Sequence, residues 1–425
     1  MKLRMLIVVG AVLFTLPLCF GAGQPETHVP LPADLQGELD GVPYRILVPE
    51  NWNGTLLVYA HGYGDTEIPP PLAPQPADAV ILFNRGFALA ASRFAGAVPM
   101  AGMANEGGYQ VKEGIQNTVA LTAAFNGIVG RPERTIIWGK SMGGNVALGM
   151  IEKFPGHFDG AIVVCGTNAG ASRRWDQALD TALAYAVTFG WNPQWGTPGD
   201  IRDDLNIMTE VLPHIQQQMV PSKKGLWEFI RLVNRMPSDS YYINPGGMPL
   251  RLLTLYFALA VRAELESRAG GAVAENIGRS YALTGEEKAY LTGMGVDADA
   301  LLAEMNASAI FASDRNARNY LRHYFDPSGR ITRPVLTLHT KGDALATPNH
   351  ESAYRDTVEQ QGNGDLLMQQ FTNGAAHCTF TPEQEIAGID AMMEWLDAGS
   401  RPDPSVFFTP ALGFDPSFVP EPWPW

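Results

Sequence analysis

An α/β protein is predicted: a mostly parallel sheet with helices on both faces and an inserted helical cap domain. Three observations carry that reading. Apolar runs of strand length (Gly54 to Ala60, Phe87 to Ser92, Thr135 to Trp138, Gly160 to Gly166, Pro334 to Thr340) alternate with helical patterns. Strands apolar on both sides belong in a sheet that is covered on both faces. From Thr167 to about Gly329 the alternation gives way to successive helical segments without a convincing buried strand. Between one apolar run and an alanine- and methionine-bearing helix stands the turn Gly139-Lys140-Ser141-Met142-Gly143.

Taken in order, the chain opens Met1-Lys2-Leu3-Arg4, stays apolar from Met5 to Phe20 and reaches Gly21-Ala22-Gly23. A basic start, an apolar run shorter than the ~20 residues of a membrane span, and small residues at the cut predict a signal peptide over 1–23. That places the mature chain in a secreted or periplasmic setting with no stable membrane anchor. Gln24 to Asp34 reads as an extended arm, and residues 37–48 alternate around Asp40-Gly41 as a hairpin does. The strand ending at Ala60 runs into His61-Gly62-Tyr63-Gly64, whose glycines let backbone approach a ligand. The amide of Tyr63 is therefore the candidate second donor to an anion. The proline-rich loop from Ile68 to Pro76 is expected at the site rim, a short helix over 80–85, and a helix from Gln110 to Ile128 with Val111, Ile115, Val119 and Ala123 on one face.

At the Gly-x-Ser-x-Gly turn, a serine between strand and helix sits in strained backbone with its hydroxyl pushed out of the sheet. The amide of Met142 then lies at a helix N-terminus, where an oxyanion gains from a free donor and from the helix dipole. With 44 glycines in 425 residues the pattern alone is weak, and its strand-before, helix-after context gives it weight.

The elbow helix ends at Phe154-Pro155-Gly156, and the strand from Gly160 closes the first half of the core. Helical segments over 175–189, 201–219, 223–235, 249–268 and 299–311 make up the cap, rich in Trp175, Trp191, Trp195, Trp227, Tyr241, Tyr242, Tyr256 and Phe257. Most of these aromatics fill the cap's own core, and some face the nucleophile. The sheet resumes at Pro334 to Thr340 and exits through Lys341-Gly342-Asp343, placing a carboxylate at the carboxyl end of a buried strand, where ligand-facing groups belong. The last strand, Asp365 to Thr372, exits through Asn373-Gly374-Ala375-Ala376-His377-Cys378, with small residues that leave the imidazole free to reach the serine. A helix over 382–396 and a proline-rich strap over 399–425 complete the chain. The domain plan is thus 1–23 signal peptide, 24–166 and 330–398 core, 167–329 cap.

A 46% hydrophobic, 17% charged composition suits one large core plus an added module. The net charge of −14, spread along the chain, argues against a nucleic-acid partner and an anionic membrane surface, and favours a neutral or weakly cationic small substrate. Beyond the signal peptide two cysteines remain, Cys165 and Cys378, which either join in an oxidising compartment or stay as buried thiols. No His/Cys/Asp/Glu spacing suggests a metal, and no dinucleotide or phosphate loop suggests a cofactor.

Over residues 55–166 and 331–398 the chain resembles the α/β-hydrolase superfamily. Gly139 to Gly143 matches its nucleophile elbow, His61-Gly62-Tyr63-Gly64 its oxyanion loop, Gly342-Asp343 its acid and His377 its base, in the order serine, acid, histidine. The resemblance implies that Ser141 attacks a carbonyl, His377 takes its proton, Asp343 holds the imidazole, and the Tyr63 and Met142 amides receive the oxyanion. His377-Cys378 also resembles half of a cysteine pairing in tannase and feruloyl-esterase relatives. Lys140 stands where their second cysteine would be, a departure from that pattern, and a bond from Cys378 to Cys165, at the end of the neighbouring strand, is the expected alternative that would fix the histidine loop. The expected activity is hydrolysis of a carboxylic ester, small-molecule or polymeric, with an apolar or aryl group. A serine peptidase or amidase on the same scaffold is the alternative, with an acidic cap residue such as Glu210, Glu228 or Glu264 holding an amine. A non-enzymatic binding module is a third.

Overall fold

The computed structural model describes residues 26–65, 67–99, 106–237 and 250–424. The expected signal peptide, Tyr241 and Tyr242 lie outside them. Eight strands make one sheet: β1 (Ala33–Leu39), β2 (Val42–Val48), β3 (Thr55–Ala60), β4 (Ala88–Ser92), β5 (Arg134–Lys140), β6 (Gly160–Val164), β7 (Val335–Thr340) and β8 (Leu367–Thr372). Their spatial order is β1-β2-β4-β3-β5-β6-β7-β8. β2 runs antiparallel to β1 and β4, and the other neighbours are parallel. The β1–β2 hairpin turns through Asp40 and Gly41, both at positive φ, which matches the right-handed strand twist.

Period-two alternation along buried strands divides the core into two layers. Leu56, Val58, Ala60, Ile137, Ala161 and Val163 point to one side, where helices α2 (Val111–Ile128), α3 (Met142–Lys153) and α12 (Asn349–Gln360) pack. Leu57, Tyr59, Ile136, Trp138, Ile162 and Leu338 point to the other, where α1 (Pro76–Asn84) and α13 (Pro382–Ala398) pack. Both helices of this second layer start with a capping box and a proline in the first turn, Gln75/Asp78 with Pro76 and Thr381/Gln384 with Pro382.

Between β6 and β7 run the helices α4 (Ala171–Phe189), α5 (Leu212–Gln218), α6 (Lys224–Val233), α7 (Leu250–Tyr256), α8 (Arg262–Ala269), α9 (Gly285–Gly293), α10 (Ala298–Ala307) and α11 (Arg315–Tyr324). Helix α9 starts at a Thr284/Glu287 capping box and α11 at Asp314, local signals that the apolar-periodicity reading passed over. Two stretches, Ile207–Val211 and Phe257–Val261, widen into π-turns. The tail returns to the sheet edge, where Phe414 bridges Thr372, Lys341 pairs with Asp415 at 2.6 Å and Phe407 is fully buried. Edge strand β8 is thereby covered over part of its length.

Candidate active site

The carboxyl ends of β3, β5, β7 and β8 open on one rim, and each delivers a loop with a polar side chain. Ser141 follows β5 directly at φ 55°, ψ −118°, a conformation that L-residues rarely adopt. The two flanking glycines explain how it is held there. A Cβ on Gly139 would strike the carbonyl oxygen of Gly143, and one on Gly143 would strike that of Ala60. The turn is tied to the sheet by Ser141 N donating to Val164 O at 2.9 Å.

Ser141 Oγ lies 2.8 Å from His377 Nε2, and His377 Nδ1 lies 2.7 Å from Asp343 Oδ2. Asp343 is fully buried, and its other oxygen accepts from the Leu345 and Ala346 amides, both at 2.9 Å. That fixes the carboxylate and leaves one oxygen for the imidazole. The arrangement can lower the cost of deprotonating the hydroxyl while keeping the ring in one tautomer. Cys378, next to the histidine, is bonded to Cys165 at the end of β6, with Cα atoms 5.4 Å apart. Both half-cystines stand at positive φ, and the bond anchors the histidine loop to the neighbouring strand. Among the described residues, the one set of donors close enough to share a metal ion is Cys165, His377 and Cys378, and the disulfide occupies both sulfurs.

Behind the acid, His339 is fully buried between Glu351, 3.0 Å from Nδ1, and the Ala346 carbonyl, 2.7 Å from Nε2. Burial works against its charge, but the Glu351 and Asp343 carboxylates and the Ala346 carbonyl together raise its pKa. It supports the same loop that donates to Asp343, a role that strand position alone did not reveal.

On the β3 side, Tyr63 follows Gly62, whose amide donates to Asp65 at 3.1 Å. His61 sets this loop: Phe94 N donates to its Nε2 at 3.3 Å, so its Nδ1 carries the proton donated to Gly62 O at 2.8 Å. Burial lowers the pKa of His61 and keeps it neutral. The Tyr63 amide has no protein acceptor among the described residues, and Met142 N opens α3, where no intrahelical partner exists. Both are thus available donors beside Ser141.

Tyr63, Tyr109, Ser141, Met142, Thr167, Arg174, Trp175, Phe257, Leu345 and His377 enclose a cleft of only about 10 Å³. Tyr63 packs on Phe257, ring centroids 5.2 Å apart, at the first residue of a π-turn. Among the described residues, Trp175 and Phe257 are the helical-segment aromatics that line the cleft with Ser141, whereas Trp191 packs on Trp195, Trp195 on Tyr185, and Trp227 on Tyr185 and Phe189. The larger cavity, about 770 Å³, lies elsewhere, between the proline-rich loop and Lys140. The loop from Ile68 to Pro76 therefore borders that groove, not the serine cleft. None of the three acids considered for an amine enters the cleft: Glu210 pairs with Arg202, Glu228 with Arg231 and Glu264 with Arg268. Arg174, which does enter it, was missed, because a run of Arg173-Arg174 at a helix start does not tell which one faces inward.

No family model matches the chain. It is similar to the o-phthalyl amidase of Xanthobacter agilis, 23% identical, covering 88% of this chain and 89% of that protein. Similar solved structures include an esterase from Aspergillus oryzae, 13% identical, covering 87% of this chain and 80% of that one with a TM-score of 0.41. A proline iminopeptidase from Mycobacterium smegmatis is 15% identical, covering 86% and 99%, also with a TM-score of 0.41. The strand order, the serine turn after β5, the acid after β7 and the histidine after β8 give this chain an α/β-hydrolase fold.

Proposed function

We propose that the protein is a serine hydrolase that cleaves a carboxylic ester through an acyl-enzyme on Ser141. His377 is its base and acid, Asp343 orients the imidazole, and the Tyr63 and Met142 amides form the oxyanion site. The observation that carries this is the unbroken relay from Ser141 Oγ through His377 to a buried carboxylate, starting at a strained turn. Residues 167–329 act as a lid whose aromatics shield the cleft from bulk solvent while leaving room for the hydrolytic water. The disulfide supports a secreted or periplasmic setting for the chain.

A second reading, amide hydrolysis, is favoured by the similarity to an amidase. It uses the same groups, with His377 protonating the departing nitrogen. The exopeptidase form of that reading has less support, because it needs an anion for the substrate amine and the charge lining the cleft is a guanidinium.

Phenyl esters and the matching anilides, assayed with wild type and Ser141→Ala, test both readings. Loss of at least roughly 10⁴-fold in kcat for Ser141→Ala, with loss of fluorophosphonate labelling, is expected. Undiminished hydrolysis by Ser141→Ala would sink the assignment, and the ester-to-anilide ratio of the wild type separates esterase from amidase.

A further inference from the structure

Among the described residues three arginines are buried: Arg174, Arg262 and Arg318, at 5%, 0% and 8% exposure. Arg262 faces Glu266 at 3.4 Å, and Arg318 holds Asp176 with two bonds of 2.7 and 2.8 Å. Arg174 has neither an ion pair nor a side-chain hydrogen bond to any described residue. Its guanidinium carbon sits 5.5 Å from the Trp175 ring and 5.9 Å from that of Phe257, so its fork is flanked by aromatic faces. Burial pulls its pKa down to about 10, which still leaves the group charged at neutral pH. An unpaired cation in an apolar environment is costly, and natural cores rarely keep one without a counter-charge.

The cleft that this cation enters is the one containing Ser141 and His377. Among the described residues none that lines it is acidic; Asp343, behind His377, lends its charge to the guanidinium but spends its oxygens on His377 and two amides, and Tyr109 and Thr167 bond to each other at 3.3 Å. A planar guanidinium with its donors unspent, between aromatic faces, matches a carboxylate carried on a short or aryl chain.

We propose that Arg174 binds a substrate carboxylate, so that the preferred substrates are half-esters or half-amides of a dicarboxylic acid. This rests on the serine-hydrolase reading above. The carboxylate belongs to the acyl half, because an anchor there holds the group through both formation and hydrolysis of the acyl-enzyme, whereas an anchor on the leaving group serves only the first step. It departs from the neutral or weakly cationic substrate suggested by net charge, which describes the outer surface and not the cleft.

The test compares phenyl hydrogen glutarate with its methyl-capped neutral counterpart, after subtraction of spontaneous hydrolysis, using wild type, Arg174→Lys and Arg174→Gln. Wild type is expected to favour the anionic ester at least tenfold in kcat/KM. Arg174→Gln should bring that preference close to one by lowering kcat/KM on the anionic ester, mostly through KM, and Arg174→Lys should keep part of it. Glutarate should raise the Tm of the wild type and not that of Arg174→Gln, whose own Tm should equal or exceed the wild-type value because an unpaired buried charge is gone. Equal rates on both esters in the wild type, or an equal loss on both in Arg174→Gln together with a lowered Tm, would overturn the proposal in favour of a structural arginine. If the neutral ester is cleaved in a Ser141-dependent way without anionic preference, only the arginine assignment falls. If neither ester is cleaved and Ser141 takes no fluorophosphonate, the hydrolase reading falls first.

Discussion

Gly139 and Gly143 hold Ser141 in place by what they lack, since each abuts a backbone carbonyl that no side chain could share. Gly143→Ala is expected to lower Tm sharply, because the obstacle is the backbone of β3, which cannot move aside. Gly127→Ala, late in α2 with open space around its added carbon, should instead stabilise by roughly 0.5 to 1 kcal/mol. Thermal melts of the two variants check the contrast. At the acid, Asp343→Asn keeps the acceptor for the Leu345 and Ala346 amides while removing the charge that fixes the tautomer of His377. A loss of about 10⁴ in kcat with unchanged circular dichroism is the expected outcome.

The sheet's rim does its work through strand ends, and those were the most legible elements. Thr55 to Ala60 and Val335 to Thr340 are buried along their whole length and β-prone, even with Thr337 and His339 inside the second, so their exits at His61 and at Lys341 to Asp343 could be located from the residues alone. The helical stretch was less readable, because α9 and α11 carry few apolar positions and announce themselves by caps, not by periodicity. The bond between Cys165 and Cys378 closes 213 residues of sequence and fixes the loop bearing His377. Replacing both cysteines by serine should cost about 2 to 4 kcal/mol of stability. Because the histidine loop is also released, kcat should fall more than KM rises, as measured on an ester substrate before and after the double substitution.

For the molecule as a whole, α13 buries Glu385 against the layer that contains Asp78 of α1. Burial, helped by the Asp78 carboxylate, raises Glu385 from the ordinary 4.5 to about 8, and burial raises Asp78 to about 6. The folded chain therefore keeps protons that the unfolded chain releases. The stability this supplies is complete below about pH 4 and is lost as pH rises through 8. Tm should fall between pH 5 and pH 8.5, and Glu385→Gln should flatten that slope; an unchanged slope would count against the buried acid as its source. Such pairings, like the inward turn of Arg174, depend on which side of a helix meets the sheet several hundred residues away, and no local pattern encodes that. The cleft beside Ser141 is about the size of a single water molecule. On the proposed cycle, that space suits the water of the second half-reaction and is too small for an acyl donor. If acyl donors enter between the Tyr63 and Phe257 rings, whose centroids are 5.2 Å apart, those rings have to part first, and good substrates with different leaving groups are expected to share that waiting time as a common ceiling on kcat/KM in rapid-mixing assays.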